Sequence, residues 1–148
     1  MSRVQVSVIG SGAEHEPRAE EVGRLLAERG ATVVTGGRGE VMAAASRGAK
    51  AGGGTTVGVL PGETRADANA WVDHAVVTGI GHARNLAVVA SGDAVIAVGG
   101  RYGTLAEIGL ALTLGRRVVV LEPGWEVDGT LRAGTPAEAV ELALAGIA

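Results

Sequence analysis

Asp93-Ala-Val-Ile-Ala-Val98, running without a break into Gly99-Gly-Arg-Tyr-Gly-Thr104 and then Leu105-Ala-Glu107, is the stretch that decides the fold. The first six residues read as a buried strand, and Leu105–Leu114 reads as a helix. A glycine-rich turn between a strand's carboxyl end and a helix's amino end leaves backbone N–H groups without intrahelical partners. The helix dipole adds partial positive charge at the same place, so the turn suits a phosphate.

The same alternation extends in both directions. Val4–Ile9 reads as a strand, Gly10-Ser-Gly12 as a turn, and about Pro17–Arg29 as an amphipathic helix with Val22, Leu25 and Leu26 on its apolar stripe. Thr32–Thr35 is a strand ending in Gly36-Gly-Arg-Gly39, followed by an alanine-rich helix over about Glu40–Ala51. Thr55–Leu60 and Ala75–Thr78 read as strands, Thr64–Ala70 as loop, and Gly81–Ser91 as a helix with little polar surface. Arg117–Leu121 completes the sheet, and Thr135-Pro-Ala-Glu138 opens a final helix with capping-box spacing. Short apolar runs alternating with helical patterns predict an α/β fold. Residues 1–148 are expected to form one doubly wound, Rossmann-like domain with a mostly parallel sheet.

Composition narrows the function. The net charge is −3, and Trp71, Tyr102 and Trp125 are the only aromatic residues. Nucleic-acid binding wants a basic face or a set of stacking rings, so it is disfavoured. No apolar run approaches a membrane span and no leader pattern opens the chain, so no membrane partner and a cytoplasmic location are expected. The absence of cysteine excludes disulfides, thiolate metal sites and cysteine nucleophiles, while His15, His74 and His82 lack metal-ligand spacing. No metal and no resident cofactor are expected.

Two glycine-rich strand-to-helix junctions, Gly36-Gly37-Arg38-Gly39-Glu40 and Gly99-Gly100-Arg101-Tyr102-Gly103-Thr104, would open on the carboxyl edge of one sheet, where open α/β sheets bind ligands. Gly10 and Ser11 begin a third such turn. It departs from a dinucleotide fingerprint, since His15 replaces the third glycine and the second strand ends without the ribose-binding acid. Thr104-Leu-Ala-Glu107 has two readings: a capping box in which Glu107 serves the backbone, or a carboxylate aimed at the ligand. Arg84 offers a planar fork for phosphate or carboxylate, or pairs with an acid. Lys50, the only lysine, sits among small residues with nothing to suggest a Schiff-base pocket.

Gly36-Gly-Arg-Gly-Glu-Val-Met42, Gly52-Gly-Gly-Thr-Thr-Val-Gly-Val-Leu-Pro61, Ala83-Arg-Asn85 and Val98-Gly-Gly-Arg-Tyr-Gly-Thr-Leu-Ala-Glu107 occur in the order found in the Lonely Guy (LOG) superfamily, which the chain resembles from about Val4 to Leu121. That group includes proteins once labelled "possible lysine decarboxylase", an activity the placement of Lys50 does not support. The resemblance implies a Rossmann-like fold that binds phosphoribosyl or nucleotide ligands as a homodimer or larger homo-oligomer. In active members an arginine and the glutamate of P-G-G-x-G-T-x-x-E cleave the N-glycosidic bond of a nucleoside 5′-monophosphate; by motif these are Arg84 and Glu107, with the glycine loop on the phosphate.

Val98 stands where active members carry proline, and Asn85 where they carry lysine. In these features the chain is similar to the branch of small relatives that includes molybdenum cofactor carrier proteins. The resemblance thus implies a bound nucleotide or molybdopterin-type ligand, and the alternative to a phosphoribohydrolase is a non-catalytic carrier or sensor of a phosphorylated ligand such as molybdenum cofactor. The apolar Gly81–Ser91 segment is expected near the homo-oligomer interface.

Overall fold

The computed structural model describes residues 3–122 and 124–147. Seven strands form one sheet: β1 Gln5–Ser11, β2 Thr32–Thr35, β3 Thr56–Leu60, β4 His74–Val77, β5 Ala94–Gly99, β6 Arg117–Leu121 and β7 Leu131–Ala133. Their spatial order is β4-β3-β2-β1-β5-β6-β7, and every neighbouring pair is parallel. The expected mostly parallel α/β sheet is thus wholly parallel among the described residues. Five α-helices connect or follow the strands: α1 Glu16–Glu28, α2 Val41–Ala51, α3 Arg84–Ser91, α4 Tyr102–Thr113 and α5 Pro136–Leu144.

Both faces of the sheet are covered, as strands with continuous apolar sequence require. Val6, Val8, Val33, Ile96 and Val119 pack on one face with Ala19, Val22 and Leu26 of α1, Ala44 and Ala45 of α2, and Ala139 and Val140 of α5. Ile9, Val34, Val95, Ala97, Val118 and Val120 pack on the other with Val88 and Val89 of α3 and Ile108 and Ala111 of α4. Small residues allow close approach on the first face: a Cβ at Gly23 or Gly48 would lie about 2 Å from a backbone carbonyl oxygen of the partner helix.

The chain fills the sheet outward from β1 in one direction through β4, then crosses to begin again at β5. The reversal lies between β1 and β5, where strand connections diverge and leave a crevice at the carboxyl ends.

Several elements differ from the sequence reading. The first strand continues through Gly10 and Ser11, which pair with Val98 and Gly99, so these two residues belong to the ladder rather than to a turn. The cause is close approach: a Cβ on Gly10 would stand 2.0 Å from the Val98 carbonyl oxygen. Val98, lying between β1 and β6, keeps an N–H that proline would lack, and β5 runs on to Gly99. The fourth helix starts at Tyr102, three residues before the expected Leu105. Gly81–Ser91 divides into a 3-10 turn over Gly81–Ala83 and a two-turn α3. β7 was not expected, because three edge residues with only Ala133 buried make no apolar run.

Candidate functional site

The crevice at the β1/β5 reversal holds a cavity of about 200 Å³ lined by Val8, Ile9, Gly10, Gly36, Met42, His82, Arg84, Asn85, Gly103 and Glu107. Gly10, Gly36, Arg84, Gly103 and Glu107 were candidates from sequence, and they converge here from β1, the β2–α2 loop, α3 and α4. His82 and Asn85 were missed as site residues. Their signal was adjacency to Arg84 in one helical turn. Val8, Ile9 and Met42 form apolar lining that no motif marked.

Arg84 and Glu107 face each other across the cavity. Gly36 makes room for the guanidinium, since a Cβ there would sit 2.7 Å from Arg84 Nη1. The same nitrogen donates to Asn85 Oδ1 at 2.6 Å. Asparagine at this position therefore orients the arginine, where a lysine would repel it. Arg84 Nε is buried without a partner. Burial lowers the Arg84 pKa from its ordinary value, Glu107 works against that shift, and Arg38 adds to it. Two guanidiniums sharing one field form a natural counter-charge for an anion.

Burial also pushes the Glu107 carboxyl up to about 7, against the opposing pull of Arg84. The capping-box alternative fails on the structure. The N-cap of α4 is Arg101, with an extended backbone and no side-chain cap, so Thr104 is the third helical residue and is buried. Glu107 makes no side-chain hydrogen bond among the described residues. A half-buried carboxyl without a structural partner, titrating near neutrality in a cavity, has the signature of a functional group.

The backbone supplies the rest. Arg101, Tyr102, Gly103 and Thr104 have N–H groups with no acceptor among the described residues; the first bond of α4 is Leu105 N–H to Arg101 O at 3.0 Å. In the β2–α2 loop, Gly36, Arg38, Gly39 and Glu40 are likewise free donors, whereas Gly37 N–H is taken by Thr35 Oγ1 at 3.0 Å. Asn69 occupies the loop's carbonyls: its N–H donates to Gly37 O at 2.9 Å and its Nδ2 to Arg38 O at 2.7 Å. The loop is thus held through its acceptors while its donors stay open.

Of the other candidates, Ser11 is paired beside Gly99 in the sheet, and Arg101 and Tyr102 are exposed outside the cavity, Tyr102 at 82%. His15 lies against Gly99, and its ring fills the space a side chain there would need. Glu40 has φ 53° and ψ −125°, and Met42 N–H bonds to Gly39 O at 3.2 Å across it. This is the first central position of a type II′-like turn, where glycine is the expected residue, and a side chain there carries about 1–3 kcal/mol of strain. Its Oε2 accepts the Gly12 N–H at 2.7 Å. Lys50 sits at the opposite edge of the sheet, bonded to Gly54 O at 2.9 Å and Asp73 Oδ2 at 2.8 Å.

With this geometry in place, comparison with known proteins gives a family. The model of the SLOG cluster4 family matches residues 3–144. The chain belongs to that family. It is thereby a member of the LOG superfamily's Rossmann-like branch.

Among solved structures, the molybdenum cofactor binding protein of the phototrophic bacterium Rippkaea orientalis superposes with a TM-score of 0.92 at 34% identity, covering 100% of this chain and 99% of that one. The molybdenum cofactor carrier protein of Chlamydomonas reinhardtii gives a TM-score of 0.86 at 33% identity, covering 94% of each chain. A protein of Oryza sativa subsp. japonica named "Probable cytokinin riboside 5'-monophosphate phosphoribohydrolase" is 36% identical over 110 residues, which are 67% of this chain and 42% of that protein. No described helix is long and apolar enough to cross a membrane.

Proposed function

We propose that this SLOG cluster4 protein binds a phosphorylated, nucleotide-type small molecule in the β1/β5 crevice, and that Arg84 and Glu107 act on it. The phosphate would lie on the free amides of Arg101–Thr104, with Arg84 and Arg38 supplying positive charge. The observation that carries the reading is Glu107: a carboxyl raised to about 7, facing a guanidinium and free of any capping duty.

With a nucleoside 5′-monophosphate in the crevice, the chemistry is hydrolysis of the N-glycosidic bond. The C1′–N bond breaks, its electron pair and a proton go to the departing base, and water supplies the new C1′–O bond, giving free base and ribose 5-phosphate. Ionised Glu107 stabilises the oxocarbenium-like centre and orients the water. Because the ionised form is the working one, turnover rises with pH through about 7. Incubation with AMP and with N6-substituted AMP, followed by product analysis, tests this. Base release by the wild type that is lost in Glu107→Gln supports the reading, and release no greater than in that variant removes it.

A second reading, a non-turnover carrier of a phosphorylated pterin such as molybdenum cofactor, is favoured by the full-length likeness to proteins that bind or carry that cofactor. It uses the same amides without needing Glu107 as catalyst. Ligand retention through native mass spectrometry, unharmed by Glu107→Gln and lost on Gly103→Val, selects it.

Either reading would operate in a homodimer or larger assembly. The outer surface of α3 and α4 exposes Leu86 at 45%, Leu110 and Leu114, with Ala106 and Gly109 between them. An uncharged patch of this kind fits a second copy of the chain. Light scattering at micromolar concentration is expected to return at least a dimer; a monomer refutes it.

A further inference from the structure

Hydrolysis of an N-glycosidic bond moves two protons, and Glu107 accounts for one. The departing base takes the electron pair of the C1′–N bond and must gain a proton, while the attacking water must lose one. Ionised Glu107 can take the water's proton but has none to give to the base. Among the residues lining the crevice, only His82, Arg84 and Glu107 carry titratable side chains. A guanidinium donates hydrogen bonds without giving up its proton. Asn85 is committed through its Oδ1 to Arg84 Nη1 at 2.6 Å, which leaves it an amide donor only. His82 remains. It sits in the 3-10 turn over Gly81–Ala83, three residues before Asn85 and on the same side of the chain. Its side chain lies at the exposed rim of the crevice and makes no hydrogen bond or ion pair among the described residues. The turn that carries it is fixed to the loop after β3: the Gly79 N–H donates to Gly62 O and the Gly81 N–H to Pro61 O, both at 2.9 Å.

We propose that His82 is a catalytic residue, the general acid that protonates the departing base. This rests on the phosphoribohydrolase reading given above. The His82 imidazolium gives its proton to a ring nitrogen of the base as the C1′–N bond breaks and the electron pair leaves with the base. Water bonds to C1′ and passes its proton to the Glu107 carboxylate. Free base, ribose 5-phosphate, neutral His82 and protonated Glu107 result. Exchange with solvent restores both side chains, so each turnover consumes one water and no net proton. The two positions suit the two duties. An acid that must be reloaded belongs at the exposed rim, and a carboxylate that stabilises a cationic centre acts more strongly where water is scarce.

The leaving group separates this role from a merely structural one. Adenine needs a proton to leave AMP, whereas the pyridinium base of nicotinamide mononucleotide departs neutral without one. His82→Gln keeps a polar side chain that cannot give up a proton. It should lower the rate on AMP relative to that on nicotinamide mononucleotide by about 10²-fold, the lower end of what a positioned acid contributes. In His82→Ala, added imidazole should restore part of the AMP rate. His82 is exposed, so both variants should keep the melting temperature of the wild type. An unchanged AMP rate in His82→Gln, an equal loss on both nucleotides, or no imidazole rescue of His82→Ala overturns the inference while leaving hydrolysis that depends on Glu107 intact. Should the wild type act on AMP alone, the imidazole rescue decides by itself. No base release from AMP by the wild type overturns the hydrolase reading and this inference together.

Discussion

The two ends of this parallel sheet treat their polar residues differently. At the amino end they are paired, apart from Arg116 Nε, whose Nη2 nonetheless donates to the Ala90 carbonyl at 3.0 Å. Asp73 accepts from the Thr56 N–H at 2.9 Å and from Lys50 Nζ at 2.8 Å, Gln5 N–H donates to Asp93 Oδ2 at 2.9 Å, and Arg117 Nη1 reaches the Leu142, Ala143 and Ala145 carbonyls that end α5. At the carboxyl end, Arg84 Nε is buried without a hydrogen-bond partner, Glu107 makes no side-chain hydrogen bond beside Arg84, and two loops hold open amides. Satisfied groups contribute stability, and unsatisfied ones are kept for something that arrives. Even the titrations diverge. Burial works to raise the Asp73 carboxyl, but the Lys50 and Thr56 hydrogen bonds overcome it and hold it below the ordinary range. The Glu107 carboxyl has no such donors and goes up.

Three substitutions, giving four effects, sharpen that contrast. The largest effect belongs to Glu107→Gln, which should lower base release from AMP by about 10²–10³-fold, the scale of one transition-state electrostatic contact. Base release by the wild type no greater than by this variant would break the comparison in favour of the carrier reading. Next, Gly103→Val should weaken AMP binding by about tenfold or more, the scale of a hydrogen bond to a charged group. No atom lies within 4 Å of a Cβ at Gly103, so the loss comes from filled cavity rather than from a damaged helix, and an unchanged melting temperature verifies this.

The third effect is on stability and has a definite sign. The Glu107 carboxyl, raised in the folded state, contributes stability that is fully present below about 4.5 and lost as pH rises through about 7. Glu107→Gln should therefore exceed the wild type by about 2 kcal/mol at pH 8, with the gap closing as the pH falls, as read from denaturant unfolding across that range. An end kept unsatisfied for function is stabilised when its charge is deleted. The smallest effect is at the amino end. Asp73→Ala should cost about 1 kcal/mol, because the lost hydrogen bonds are partly solvent-exposed, and should leave AMP binding unaltered in calorimetry.

The same division explains what could be read from the amino-acid sequence. Wholly buried parallel strands leave apolar runs, so Val33–Val34, Val95–Val98 and Val118–Leu121 announced the sheet, and glycine clusters behind them announced the crevice. Local spacing misled at Thr104–Glu107, which satisfies a capping box. The helix starts three residues earlier because β5 ends at Gly99 and the extended Arg101 takes the cap, a matter of how far a neighbouring strand runs. Gly10 and Ser11 read as a turn for the same reason, since only the β5 backbone lying against Gly10 shows that the ladder continues. Arg84 and Glu107, 23 positions apart, were legible through family likeness, whereas His82 and Asn85 needed three-dimensional proximity. The strain at Glu40 had no sequence signal at all, because a glutamate ahead of an alanine-rich helix looks like ordinary first-turn chemistry.

The central claim is that the open amides of Arg101–Thr104 and of Gly36, Arg38 and Gly39 grip the phosphate of a ligand lying over Arg84 and Glu107. Titration of 15N-labelled protein with AMP tests it most directly. The account predicts saturable shifts at those amides, with Lys50, Thr56 and Asp73 at the amino end unmoved. Shifts confined to the amino end, or an AMP-insensitive spectrum at millimolar ligand, would contradict it.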